Sequence, residues 1–314
     1  MEWIFLNEDT QLREEACATV GYFDGVHRGH LFLVERLRQL AAERGWLSMV
    51  VTFDRHPRQV VSTGWQPRLL TTLAEKGRFL EGAGLDRLAL LHFDESMARL
   101  SARQFMAVLR ERLGVRVLLT GYDNRFGHNR LEGFDDYVAY GHELGIDVVQ
   151  GDVLSVCGGA VSSSRVRRLL DHGEVREAAA CLGRFYCVSG EVVHGEQIGR
   201  QMGFPTANLQ LDDENKLVPR SGVYAVEVGI DGVEELHRGV MNIGMRPTFD
   251  GQRRTLEVYL LQYEGDLYGR KLTVGFVDRL RDELHFDSAD ALRVQMLQDV
   301  EEADRIFGAG CAMV

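Results

Sequence analysis

Three features of the chain predict an α/β fold built on a parallel sheet, followed by a small antiparallel β-barrel and a C-terminal helix. From residue 16 to about 153, short apolar strand-like runs alternate with stretches of helical period, the pattern of a parallel sheet covered on both faces. Near Gly183 the pattern changes to short runs rich in Val, Tyr and Phe, broken by turn dipeptides such as Asp231-Gly232 and Asp250-Gly251. From Ser288 a last amphipathic stretch, with Ala289, Leu292, Met296, Val300, Ala303 and Phe307 on one face, runs to Gly308. Two domains are the expectation for 314 residues, placed at 1–183 and 184–308 with a tail at 309–314.

The first strand is expected at Cys17–Tyr22, its apolar run beginning at Ala16. Behind it Leu31, Val34, Leu37, Leu40 and Ala41 recur at helical spacing and predict a helix over 29–44. Between the two lies Val20-Gly21-Tyr22-Phe23-Asp24-Gly25-Val26-His27-Arg28-Gly29-His30, a strand-to-helix turn. Gly21, Gly25 and Gly29 let backbone approach a ligand closely. The helix start adds unpaired N–H groups and a positive dipole end, a ready seat for phosphate. His27 and His30 stand three apart on that start, where imidazoles can donate to a polyphosphate and offset the charge of departing pyrophosphate.

Further strands are expected at Ser48–Phe53, Arg87–His92, Arg116–Gly121 and Asp147–Asp152. Helices are expected near 73–83, 101–113 and 133–144, with Ser101 as an N-cap. Ligands of such sheets sit beyond the carboxyl ends of the strands. Thr52-Phe53-Asp54-Arg55-His56-Pro57 and Gly121-Tyr122-Asp123-Asn124-Arg125-Phe126-Gly127 follow two of them. Singly each is an ordinary loop; together with the histidine turn they form a pocket rim. Next comes Val161-Ser162-Ser163-Ser164-Arg165-Val166-Arg167-Arg168. Its serines suit helix caps, and with three arginines they also make a compact anion clamp. A short helix over 174–182 closes the domain.

Composition narrows the function classes. Hydrophobic content of 45% and charged content of 26% are those of an ordinary globular protein. A net charge of −11 argues against a general nucleic-acid or membrane-surface binder. The only lysines are Lys76, Lys216 and Lys271, none followed by Ser or Thr, so there is no Walker A phosphate loop. Cys17, Cys157, Cys181, Cys187 and Cys311 are scattered without a Cys-x-x-Cys pair, which suits a reducing compartment. The N-terminus carries only a four-residue apolar run, Trp3 to Leu6, and no run approaches membrane-spanning length, so a cytoplasmic location is expected.

In the second half, strands are expected at Arg184–His194, Tyr224–Ile230, Leu236–Ile243, Thr255–Gln262 and Lys271–Leu280. The loop from Gly195 to Asn208 contains Gly195, Gly199, Arg200 and Gly203, which can fold over a triphosphate with backbone N–H groups facing it. Thr206 and Asn208 supply neutral oxygens suited to Mg²⁺. A glycine-rich surface hairpin with a proline turn at Pro205 is the plainer alternative on composition. Glu257 stands between Leu256 and Val258, which alternation turns to the opposite face. A carboxylate on the inner face of a small barrel needs a role or a partner, the alternative being an ion pair with Arg253 or Arg254.

These motifs carry a resemblance. Gly-Tyr-Phe-Asp-Gly-Val-His-Arg-Gly-His resembles the His-x-Gly-His signature of the nucleotidyltransferase superfamily. In its longer form it is similar to that of bacterial bifunctional riboflavin kinase/FAD synthetases. Gly-Arg-Gln-Met-Gly-Phe-Pro-Thr-Ala-Asn resembles the riboflavin kinase signature, and Asn242-Ile243-Gly244-Met245-Arg246-Pro247-Thr248 and Leu256-Glu257-Val258 follow the same family. The resemblance covers about residues 15 to 305. It implies a Rossmann-like transferase domain and a kinase barrel. By it, riboflavin is phosphorylated by ATP to FMN, and a second ATP adenylylates FMN to FAD with release of pyrophosphate. Glu257 becomes the general base for the riboflavin 5′-hydroxyl. Gly21, Phe23, Gly25, Gly29, Asp123, Ser163 and Ser164 bind ATP in the first domain, with His27, His30 and Arg167 acting on the phosphates. Gly195, Gly199, Arg200, Gly203, Pro205 and Asn242 hold ATP in the second, and Thr206 and Asn208 hold Mg²⁺. ATP and FMN are anions, so each site must be locally basic within an acidic chain. The partners implied are these small molecules, with no nucleic acid or membrane; oligomeric state is not readable. Asn124 stands where the family has an aromatic, which leaves a kinase with an impaired transferase as one alternative and a non-enzymatic flavin-binding protein as another.

Overall fold

A computed structural model describes the chain except for residues 8, 63, 123, 129–131, 157, 196–202, 249, 250 and 310–314, and except for the side chains of 246–248 and 251–253. The chain divides into two compact units, Met1–Ser163 and Ser164–Val314.

The first unit is built on six parallel strands. They are β1 (Glu2–Phe5), β2 (Ala16–Val20), β3 (Leu47–Phe53), β4 (Arg87–Leu91), β5 (Val115–Thr120) and β6 (Asp147–Gln150), in the spatial order β1-β4-β3-β2-β5-β6. Helices α1 (Arg28–Arg44), α2 (Pro57–Val61), α3 (Leu73–Gly82), α4 (Glu95–Ala98), α5 (Ala102–Leu113) and α6 (Phe134–Leu144) connect them. A short hairpin, β7 (Ser155–Val156) with β8 (Gly159–Ala160), follows β6. Alternate strand residues feed two cores. Ala16, Ala18, Val20, Met49 and Val51 pack with Phe105 and Leu109 of α5 on one face. Cys17, Val50, Leu88 and Val117 pack with Val34 and Leu37 of α1 on the other. The order reverses direction at β2, between β3 and β5, which is where open α/β sheets form ligand crevices.

Two sequence expectations change here. The run Trp3 to Leu6 is not merely an apolar start: Glu2–Phe5 pairs in parallel with Arg87–Leu90 as the edge strand β1. The loop after Phe53 holds the short helix α2, capped reciprocally by His56 and Gln59.

The second unit opens with α7 (Ser163–His172), whose first residue belongs to the unit before it, and α8 (Val175–Leu182). A closed barrel follows, of β9 (Tyr186–Val193), β10 (Ala207–Leu211), β11 (Gly222–Ile230), β12 (Leu236–Thr248), β13 (Gly251–Leu260) and β14 (Lys271–Arg281), ordered β10-β13-β12-β11-β14-β9. Helix α9 (Ala289–Gly308) packs Ala303 and Phe307 against Ala225 and Val277 on the outside of the barrel. β10 was not expected as a strand; its first two residues lie inside the Thr-Ala-Asn motif and pair with β13.

Candidate functional sites

The turn at 21–30 leaves β2 in a strained path. Phe23 has φ 54°, Gly25 φ 82° and Val26 φ 37°. Gly25 takes such angles freely, but a bulky and a β-branched residue there cost on the order of 1–3 kcal/mol each. Asp24, 3% exposed, holds the turn. Its carboxylate accepts the Leu70 and Thr71 N–H groups at 3.0 Å and the Thr71 hydroxyl at 3.2 Å. The Thr71 hydroxyl oxygen in turn accepts the Gly25 N–H at 3.0 Å. Ser163 Oγ donates to the Asp24 carbonyl at 2.8 Å, tying the start of α7 to the same turn.

His27 is the N-cap of α1, and its Nδ1 accepts the His30 N–H at 3.2 Å. The two imidazoles stack with centroids 3.6 Å apart and planes 12° from parallel, and the Phe23 ring lies 4.9 Å from that of His30. Gly29 suits this stack, since a Cβ there would lie in tight contact, 3.2 Å, with the His27 ring. Gly21 faces the Phe23 ring, where a Cβ would lie 3.0 Å away. Thus Gly21, Phe23, Gly25, His27, Gly29, His30 and Ser163 converge on one turn. Ser164 and Arg167 lie further along α7, past the division of the chain, with Ser164 exposed and Arg167 half-buried. Asp123 lies outside the described residues. Its neighbour Asn124 donates through Nδ2 to the Val20 carbonyl, so the residue that departs from the family pattern anchors the β5 loop to the end of β2.

The second site forms on the outer face of the barrel. Alternation sends Leu256, Val258 and Leu260 into the interior, where they are buried. Glu257 therefore does not face inward as expected. It lines a cavity of about 420 Å³ outside the barrel, walled by Thr206, Asn242, Thr255 and Tyr259, by Arg281 and 283–286, and by Leu292, Met296, Asp299 and Val300 of α9. A closed small barrel is filled by apolar side chains and has no room for a carboxylate. Register places Asn208 and Asn242 directly opposite Glu257 on the strands either side of it. These three polar residues thus stand abreast on β10, β13 and β12.

Next to this cavity is a second, of about 620 Å³, lined by Val192, Pro205, Thr206, Ala207, Leu260 and residues 263–268. Thr206 lines both. Tyr268, in the lining of the second, stacks on the His194 ring with centroids 4.0 Å apart. Phe204 is buried edge-on against Tyr259 at 5.3 Å, which pins the Pro-Thr turn to β13. Gly195 lies against the Asn208 amide: a Cβ there would come within 2.1 Å of Nδ2. Gly195 is therefore fitted to the Asn208 side chain. Gly203 takes φ 85°, while Gly199 and Arg200 lie outside the described residues.

The sequence reading assigned no role to Arg281 and Asp299, which the structure joins within the wall of the 420 Å³ cavity. Arg281 Nε and Nη2 donate to Asp299 Oδ1 and Oδ2 at 2.8 and 2.7 Å, and Asp299 is buried. Only the helical period of α9 hinted at this, since it puts Asp299 one turn after Met296.

The family model described as FAD synthetase matches residues 9–165, and the one described as riboflavin kinase matches residues 182–307. A bifunctional riboflavin kinase/FMN adenylyltransferase from Pseudomonas fluorescens is 41% identical over 288 residues, 91% of each chain. The chain belongs to the bifunctional riboflavin kinase/FMN adenylyltransferase family. Its counterpart in Escherichia coli K12 is 39% identical over 95% of both chains. A crystal structure described as a macrolide-efflux protein from Streptococcus pneumoniae has TM-score 0.88 and 31% identity, covering 96% of this chain and 98% of its own. Efflux is that protein's description; no helix among the described residues here is long and apolar enough to cross a membrane. As a family member the chain is an enzyme that phosphorylates riboflavin to FMN and adenylylates FMN to FAD, with ATP, riboflavin and FMN as its small-molecule substrates. Both domains match, so the kinase-only and non-enzymatic alternatives fall away.

Proposed function

We propose that the two reactions run at the two sites described, the kinase on the outer face of the barrel and the adenylyltransferase at the histidine turn. The observation that carries the kinase assignment is the row Asn208–Glu257–Asn242 at the meeting of two cavities that share Thr206. The 420 Å³ cavity, with apolar α9 side chains, suits the flavin ring; the 620 Å³ cavity suits the nucleotide. Glu257 accepts the ribityl 5′-hydroxyl proton as that oxygen attacks the γ-phosphorus of ATP, and ADP leaves. Gly195, Gly203 and Pro205 shape the loop over the phosphates, and the sequence motif assigns Gly199 and Arg200 to the same ATP. Asn242 stands on the far side of Glu257 from Asn208.

The residues here fit a magnesium ion. Thr206 and Asn208 offer neutral hard oxygens, and the bare Cα of Gly195 keeps the Asn208 amide in place. When bound, Mg²⁺ offsets charge on the transferring phosphoryl group.

At the transferase turn, an FMN phosphate oxygen attacks the α-phosphorus of ATP and pyrophosphate leaves. The nucleophile is already an anion, so no base is needed. The work falls to positioning and charge: His27 and His30 on the leaving group, Gly21, Gly25 and Gly29 for close approach, and Phe23 as the packing surface under His30. Ser163, Ser164 and Arg167 add the anion clamp at the start of α7, and Asp123 contacts the nucleotide. We place the functional boundary at 183/184, with the barrel at 184–308 and a tail at 309–314. The enzyme works in the cytoplasm. Following riboflavin, FMN and FAD by chromatography in single-site variants tests the assignment. Glu257→Gln should abolish FMN formation and spare FAD formation from supplied FMN; loss of both would refute separate sites.

A further inference from the structure

Lys76 sits where every local rule disfavours a cation. It is 1% exposed, and it lies in the first turn of α3, at the positive end of the helix dipole. Burial pushes its ammonium down from the ordinary 10.5 to about 8, against the opposing pull of Asp24. Such a charge persists when the surroundings have a use for it.

Its contacts identify the use. Nζ stands 3.8 Å from the Tyr22 ring centroid and donates to Thr52 Oγ1 at 3.3 Å. The Thr52 hydroxyl donates to the Tyr22 carbonyl at 3.2 Å. Lys76 thus reaches the backbone of the strained turn through one hydroxyl and its side chain through a cation–π contact. The groups facing it are Asp24 and Tyr22 from the turn and Thr52 from β3, with the His56 ring packed edge-on to Tyr22 at 4.6 Å. Asp24 secures the turn, but its negative charge lies beneath a seat for polyphosphate and would repel that ligand. A buried cation beside it cancels that field from below.

We infer that Lys76 is a positioning residue of the adenylyltransferase site, holding the Tyr22–Val26 turn in its anion-accepting shape and neutralising Asp24 under the bound triphosphate. This rests on the assignment of the transferase to that turn.

The test uses the full-length enzyme with FMN and MgATP. Lys76→Met should lower kcat/KM for FAD formation on the order of 10- to 100-fold, with riboflavin phosphorylation unchanged. The wild-type kcat/KM should decline as pH is raised through about 8. Lys76→Arg should keep activity and move that decline beyond the measurable range. Lys76→Met with wild-type FAD formation, or Lys76→Arg retaining the wild-type decline near pH 8, would overturn the inference. Should Lys76→Met fail to fold, the Lys76→Arg profile decides alone. His30→Ala separates the two levels. If His30→Ala leaves FAD formation intact, the site assignment fails; if it abolishes FAD formation while Lys76→Met does not, only the role of Lys76 fails.

Discussion

His27 serves α1 twice, as its cap through Nδ1 and as the surface on which the His30 ring stacks. Replacing His30 with Ala removes one of the two imidazoles assigned to the phosphates and leaves the cap in place. FAD formation should fall roughly 10²-fold or more, while FMN formation measured on the same preparation stays at the wild-type rate. Lys76 carries a stability consequence of opposite sense to its catalytic one. Its folded value of about 8 lies below 10.5, so at pH 7 the buried charge costs on the order of 3 kcal/mol. That cost is fully present below pH 8, shrinks between 8 and 10.5 as only the unfolded chain stays protonated, and is absent above. Urea melts at pH 7 and pH 9.5 should show this residue's contribution rising with pH, and Lys76→Met should remove the rise. None of this was legible in the residue string. Lys76 follows Glu75 near a helix start, a pairing that ordinarily faces water, and only the fold turns it inward.

Among the elements, α9 does the most that its period did not announce. Its apolar face was readable from Ala289, Leu292, Met296, Val300, Ala303 and Phe307, but that stripe serves two surfaces. Ala303 and Phe307 meet the barrel, while Leu292, Met296 and Val300 roof the cavity beside Glu257. The Arg281–Asp299 pair fixes the roof to β14. Asp299→Ala leaves Arg281, about 19% exposed, without its bidentate partner, a loss of roughly 3–5 kcal/mol when such a pair is buried. A calorimetric melt should register it, and the KM for riboflavin should rise more than kcat falls. β10 escaped notice because its first residues belong to a glycine- and proline-rich motif that reads as loop. The strand exists because Asn208 pairs with Glu257 on one side and Val193 on the other. Gly195→Ala is expected to push the Asn208 amide aside and suppress FMN formation while the transferase continues, as product chromatography would register.

For the whole molecule, two compact units and two proposed sites in one chain predict that the activities separate cleanly. Neither His30→Ala nor Glu257→Gln alone should convert riboflavin to FAD efficiently. An equimolar mixture of the two full-length variants should regain it, because FMN made by one can be used by the other; a mixture that stays inactive would mean that FMN never leaves the chain that made it. The broad architecture was plain in the residues: the change near Gly183 from helical period to short Val- and Tyr-rich runs marks the start of β9. The order of strands was not, since parallel pairing has no local signature. Glu2–Phe5 joins β4 across more than eighty residues of chain.

That distant pairing has an outcome during synthesis. Glu2–Phe5 leaves the ribosome well before the strand it pairs with, Arg87–Leu91, so β1 must wait through the assembly of β2 and β3. A chain clipped before Ala16 would still build the centre of the sheet, but with the β4 rim uncovered and open to sticking to its neighbours.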